Sequence, residues 1–138
     1  MKYLLDTNVL SELRKTSPNP AVVSWFDATP ASDLAISVLV VGEIRQGIER
    51  IRDRDPVQAD VFDRWLGVLN RDFADRVVPI STRVAEAWGR LNATKTLPAV
   101  DSLFAATALV HDLTLVTRDI SSLKGTGVPL LNPWEASA

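Results

Sequence analysis

Cysteine is absent, and histidine occurs once, as His111. The first absence excludes disulfide frameworks, thiol nucleophiles, zinc fingers and iron–sulfur sites together, and the second excludes multi-histidine metal centres. Long apolar runs are missing as well. The longest low-polarity stretches, Leu34 to Gly42 and Leu103 to Val110, fall below half of the roughly 20 residues that a bilayer-spanning helix needs. The start Met1-Lys2-Tyr3-Leu4-Leu5 meets Asp6 too early for the apolar core of a signal peptide, so a cytoplasmic protein with no membrane partner is expected. A strong charge of one sign is also lacking: the net charge is −2. That balance does not exclude a polyanionic partner. Four of the 17 acids gathered in one metal site would leave the remaining surface net basic.

What is present is an ordinary globular composition, 46% apolar and 23% charged over 138 residues. A chain of this length buries roughly two-thirds of its unfolded surface in one core, and residues 1–138 read as one domain without repeat or linker. Tyr3-Leu4-Leu5 is a short buried strand, and Thr7 or Asn8 offers an N-cap for a helix through Leu13-Arg14. Ala21 to Phe26 is a short amphipathic helix with Pro20 in its first turn. Leu34 to Ser37 is a second strand. From Val38 the apolar period becomes 3.6, with Val41, Ile44, Ile48 and Ile51 on one face and Arg45, Glu49 and Arg52 off it. A second helix carrying Phe62, Trp65, Leu66, Leu69 and Phe73 completes a helical hairpin over about 39–73. Further strands are expected at 77–80, 113–116 and 128–131, the last at a sheet edge because of Pro129. Ser81 caps a helix with Val84, Trp88 and Leu91, and Ala99 to His111 is a helix apolar almost all round. Strands alternating with helices predict an α/β fold, a mostly parallel sheet of four to five strands with helices on both faces.

Open parallel sheets put chemistry beyond the carboxyl ends of their strands. Asp6 ends the first strand there, and Asp119 follows the fourth after Thr117 and Arg118. Asp101 falls in the first turn of the apolar helix, where the helix dipole favours a carboxylate. Glu43 borders the buried face of the long helix, with Gly47 leaving room for a ligand or another backbone. Carboxylates packed together repel one another, and a bound cation relieves this. Without thiols or a second imidazole the donors are oxygens, which suit Mg²⁺ or Mn²⁺ and hence phosphoryl transfer by an activated water. Each acid taken singly reads first as a capping or solvated residue, and only their combination points to a site.

The segments Leu4-Leu5-Asp6-Thr7-Asn8-Val9-Leu10-Ser11-Glu12, Gly42-Glu43-Ile44, Val100-Asp101, Thr114-Leu115-Val116-Thr117-Arg118-Asp119 and Leu131-Asn132-Pro133-Trp134 together resemble a PIN-domain toxin of the VapC family. The resemblance spans essentially the whole chain. It implies a Mg²⁺- or Mn²⁺-dependent endoribonuclease, the toxin of a toxin–antitoxin pair, acting on structured RNA such as tRNA or rRNA. Its acidic quartet maps onto Asp6, Glu43, Asp101 and Asp119, with Thr7, Asn8, Ser37 and Thr117 as polar residues that orient the carboxylates. Many relatives carry Asn at the position of Asp119 and an acid a few residues on, where this chain has Ser121, Ser122 and Leu123. The resemblance also implies a homodimer and a cognate VapB-like antitoxin lying in a groove of the first helices and the hairpin, for which Leu10, Leu13, Val23, Trp25, Phe26, Trp65 and Leu69 are the exposed apolar candidates. Target choice would rest on Arg14, Lys15, Arg45, Arg50, Lys95 and Arg118. Three other readings share the acidic crevice: a structure-specific DNA nuclease, an inactive protein-interaction module, and a phospho-acceptor domain, which would need a lysine such as Lys124 near the acids.

Overall fold

The structure, a computed structural model, describes residues 1–94 and 96–135; Lys95 lies outside the described residues. Five strands, β1 (Tyr3–Leu5), β2 (Leu34–Ser37), β3 (Val77–Val78), β4 (Thr114–Val116) and β5 (Leu130–Leu131), pair in the order β3-β2-β1-β4-β5. Every pairing is parallel. The helices are α1 (Thr7–Arg14), α2 (Pro20–Ala28), α3 (Val38–Ile51), α4 (Pro56–Asp72), α5 (Thr82–Thr94) and α6 (Ala99–Val110). Among them α1 packs on α2 and α3, α3 on α4, and α5 on α6. Right-handed crossovers, the near-universal hand for parallel strands, put these two groups on opposite faces of the sheet.

A parallel strand covered on both faces must be apolar throughout. β2, Leu-Ala-Ile-Ser, is buried at all four positions, and Ser37 is tolerated because its hydroxyl accepts the Leu39 N–H at 3.1 Å as the N-cap of α3. α6 is buried at Ser102, Phe104, Ala105, Ala106, Thr107 and Ala108. Its alanines let neighbouring elements approach, and its buried hydroxyls are satisfied: Ser102 accepts the Trp88 indole N–H at 2.9 Å and donates to Ala99 O, while Thr107 donates to Leu103 O. The hairpin of α3 and α4 is fastened on its outer side by charge. Arg45 meets Asp63 at 2.9 Å and Glu49 at 3.2 Å, and Arg52 meets Glu49 at 2.8 Å.

The expected strands are present but shorter than their apolar runs. Leu113 donates its N–H back to Ala108 O at 2.8 Å, closing the end of α6 instead of starting β4. Proline bounds both edge strands, since Pro79 and Pro129 have no N–H to give to a ladder. Asp6, not Thr7 or Asn8, is the N-cap of α1. Leu10 and Leu69, expected to be exposed, are 4% and 7% accessible and belong to the core. Trp25 is half-buried, edge-on to Tyr3 with ring centroids 5.2 Å apart. His111 is the exposed C-cap of α6. No helix among the described residues is long and apolar enough to cross a membrane.

Candidate active site

Strand order runs one way from β1 to β3 and the other way from β4 to β5, so the topological switch lies between β1 and β4. Asp6 and Thr117 are the residues just past the carboxyl ends of those two strands. The Asp6 N–H continues the ladder to Val116 O at 2.9 Å. Its buried carboxylate accepts the Thr117 hydroxyl at 2.7 Å and the Asn8 N–H at 3.3 Å. The capping role and the site role thus coincide in one side chain. Burial pushes its carboxyl above the ordinary range and Glu43 adds to this, while the bonds from Thr117 and Asn8 pull the other way.

Glu43, half-buried on the second turn of α3, accepts the Thr7 hydroxyl at 2.6 Å. Asp6, Glu43, Thr7 and Asn8 line one crevice of about 440 Å³. Asp101 stands half-buried in the first turn of α6. Its carboxyl is raised by burial and then by the charges of Asp6 and Asp119, so the structure couples these three acids electrostatically. Asp119 is exposed, and the hydroxyls of Ser121 and Ser122 donate to it at 3.0 and 3.4 Å. The two serines that replace a later acid therefore hold this one. Ser37 bonds its own helix rather than a carboxylate.

No salt bridge among the described residues neutralises Asp6, Glu43, Asp101 or Asp119. The Asn8 Oδ1 atom, on the same crevice, is buried without a hydrogen-bond partner. An orphaned neutral oxygen beside unpaired carboxylates is the donor chemistry of a hard divalent cation. Among the described residues no three Asp, Glu or His side chains are gathered tightly enough to ligate a single ion, so the acids match the chemistry without forming a closed cage.

Residues 3–124 match the family model of the PIN domain. Toxin FitB of Neisseria gonorrhoeae is 33% identical over 136 residues, covering 95% of this chain and 97% of its own. The VapC ribonuclease Y4jK of Sinorhizobium fredii is likewise 33% identical, over 96% of this chain and 97% of its own. The chain belongs to the VapC family of PIN-domain toxins. Among solved structures, the FitAcB complex from Neisseria gonorrhoeae contains a chain that superposes with a TM-score of 0.89 at 33% identity, covering 96% of this chain and 99% of that one.

Within this PIN domain, sequence reasoning did not assign Ser11, Glu12 or Trp134 to the crevice, yet all line it. Ser11 and Glu12 were legible in principle, since Asn8, Ser11, Glu12 and Lys15 repeat at helical spacing from a cap that is itself in the site. Glu12 is buried, and the Lys15 ammonium at 2.8 Å with the Asn19 N–H at 2.9 Å holds its carboxyl below the ordinary range. Of the basic residues expected to meet substrate, Arg45 is engaged with Asp63 and Glu49, and Arg14 lies over Phe62 at 4.0 Å. Lys15 and Arg118 are the described ones on the crevice. Lys124 lines another cavity, with Arg90 and Thr126, which removes the support for a phospho-acceptor site.

Thr117→Val keeps the shape of the side chain and removes the donor to Asp6. A buried hydrogen bond to a charged group is worth about 1–3 kcal/mol, and that loss of stability is expected in chelator. Loss of an orienting partner typically costs about 10–100-fold in activity. Chemical denaturation and RNA-cleavage assays check both; a Thr117→Val variant indistinguishable from wild type in stability and rate would mean the bond does not position Asp6.

Proposed function

We propose that the chain is a metal-dependent endoribonuclease, the toxin half of a toxin–antitoxin pair, cleaving structured cellular RNA such as tRNA or rRNA. The observation that carries this reading is Asp6: a buried carboxylate at the switch point, fixed by Thr117, facing Glu43, with Asp101 raised by its charge, and without a salt bridge among the described residues. A relative named as a VapC ribonuclease and another named as a toxin support the activity and the context.

Mg²⁺ or Mn²⁺ would be drawn to the carboxylates of Asp6, Glu43 and Asp101, with Asp119 at the exposed edge and Asn8 Oδ1 as a neutral donor; since these acids do not close on one ion by themselves, water would complete the ligand set. Such an ion lowers the pKa of an attacking water and offsets charge building on the phosphodiester. The protein's own part is orientation and charge. Thr117 and the Asn8 N–H hold the two oxygens of Asp6 in one pose, and Thr7 does the same for Glu43. Arg118 brings positive charge to the crevice wall, where an RNA phosphate has to approach a cluster of carboxylates, whereas the Lys15 ammonium on the same wall is engaged by Glu12.

The proposed antitoxin segment lies in a groove of about 170 Å³ between α1 and the hairpin, lined by Arg14, Ile44, Gly47, Phe62 and Trp65. Thr7 and Glu43 line both this groove and the crevice. An apolar segment seated there would bring a cationic side chain at its end to the carboxylates, where an arginine fork matches them bidentately.

Purified protein should cut RNA in Mg²⁺ or Mn²⁺ and not in chelator. Induction of the chain alone should arrest growth, and co-expression of the adjacent small open reading frame should relieve it. RNA left intact with both metals would refute the nuclease; RNA cut by a chain harmless to its host would refute the toxin.

A further inference from the structure

Arg118 and Trp134 support an inference that deepens the nuclease reading and rests on it. Arg118 is exposed, lines the crevice with Asp6 and Glu43, and makes no salt bridge among the described residues. Its guanidinium lies 5.1 Å from the ring centroid of Trp134, which is half-buried on the same crevice. An arginine that stacks on an indole in a crevice lined by the carboxylates of Asp6, Glu12 and Glu43, instead of collapsing onto one of them, keeps its donors available for an anion from outside.

The pair is tied to Asp6 by a short path. Thr117, whose hydroxyl bonds Asp6 at 2.7 Å, is the residue before Arg118. The Asn132 side chain donates to Arg118 O at 3.0 Å and accepts the Trp134 N–H at 2.9 Å, so one amide clamps the two backbones together. The Thr117 N–H donates to Leu131 O at 3.0 Å, fixing the same two segments again. The indole therefore has a set distance from the buried acid, as a positioning surface requires.

A guanidinium lying on an indole offers a planar stacking face and a fork for anionic oxygens. One nucleotide satisfies both, with its base on the stack and its phosphate on the fork. We propose that Arg118 and Trp134 form the platform for the nucleotide adjoining the cleaved phosphodiester. The base must be unpaired, because a base inside a helix already has both faces stacked; the platform therefore directs cleavage to loops and other single-stranded segments of a structured RNA.

The test is fluorescence anisotropy with a fluorescein-labelled dodecaribonucleotide pool of random sequence in chelator, together with cleavage kinetics of the same pool in Mg²⁺. Trp134→Ala should weaken binding on the order of tenfold, the scale of one base–aromatic stack, and raise KM by a similar factor while kcat changes little. Trp134→Phe should recover most of the affinity. Arg118→Ala should lower the slope of log affinity against log salt by about one unit, and Arg118→Lys should restore it. Unchanged affinity in Trp134→Ala, or a Trp134→Phe protein that melts like wild type yet binds no better than the alanine variant, overturns the platform. If Trp134→Ala fails to fold, the Arg118 pair decides, since that side chain is exposed, and an unchanged salt slope overturns the proposal. Wild type that binds RNA but does not cut it refutes the nuclease while the anisotropy series still judges the platform; wild type without affinity for RNA refutes both.

Discussion

Asp6→Asn is expected to lower metal-dependent RNA cleavage on the order of a thousandfold, the upper range for loss of one electrostatic contact to a transition state, without destabilising the apo protein. Asparagine caps a helix as well as aspartate does, so its amide oxygen keeps the bond from the Asn8 N–H, while the amide nitrogen takes the place of the oxygen that accepted from Thr117 and can donate to that hydroxyl instead. What disappears is a buried charge that Glu43 repels. The sign of the pH dependence follows. A carboxyl raised above its unfolded value of 3.8 binds its proton more tightly in the native state, so wild type in chelator should gain stability as the pH falls through that raised value. The variant cannot. Its advantage over wild type should be greatest at neutral pH and should close as the pH drops toward 3.8. Asp101→Asn should behave alike, since burial, Asp6 and Asp119 raise that carboxyl too. Thermal melts in chelator across this pH range decide the matter: variants that melt lower than wild type at neutral pH would make these acids structural.

Gly47→Trp is expected to weaken neutralisation by the proposed partner strongly while sparing cleavage. Nothing stands within 4 Å of a Cβ added at Gly47, which is exposed on α3 and opens onto the groove of Arg14, Phe62 and Trp65. Replacing glycine inside a helix favours the helix by several tenths to about 1 kcal/mol, so the protein should fold. The new indole would occupy space that a bound segment needs, and overpacking of about 1–3 kcal/mol corresponds to roughly 5–150-fold weaker binding. Growth arrest that co-expression relieves only weakly, with RNA cleavage near wild type, is the expected result. Full relief by the partner would move the docking surface away from this groove.

Periodicity carried much of this architecture. The continuous apolar runs of β1 and β2, the 3.6-residue repeat of α3 and the all-round apolar α6 are visible because burial on those faces leaves no alternative composition. Asp6 was legible as a strand-end acid but not as the cap, because one residue does both and a one-position shift of the cap leaves the pattern unchanged. The groove was misread at Leu10 and Leu69 because an amphipathic stripe does not say which of its members face the sheet and which the rim. Trp134 lies in a segment that carries the family resemblance, but no periodicity placed it at the crevice. Its place depends on Asn132 reaching back to residue 118, a contact that no repeat announces.

The bond between Asp6 and Thr117 joins residues 111 positions apart. During synthesis the amino-terminal strand emerges first, and β1 can pair with β2 long before β4 exists. Until residue 117 has left the ribosome, Asp6 has neither its threonine nor the neighbouring strand that fixes its backbone, and Arg118 and Trp134 are still to come. A chain ending before β4 should consequently be a silent one, and the stretch of translation between the end of α4 at Asp72 and residue 117 is the interval in which the proposed partner could meet α1, α3 and α4 before the crevice has been assembled.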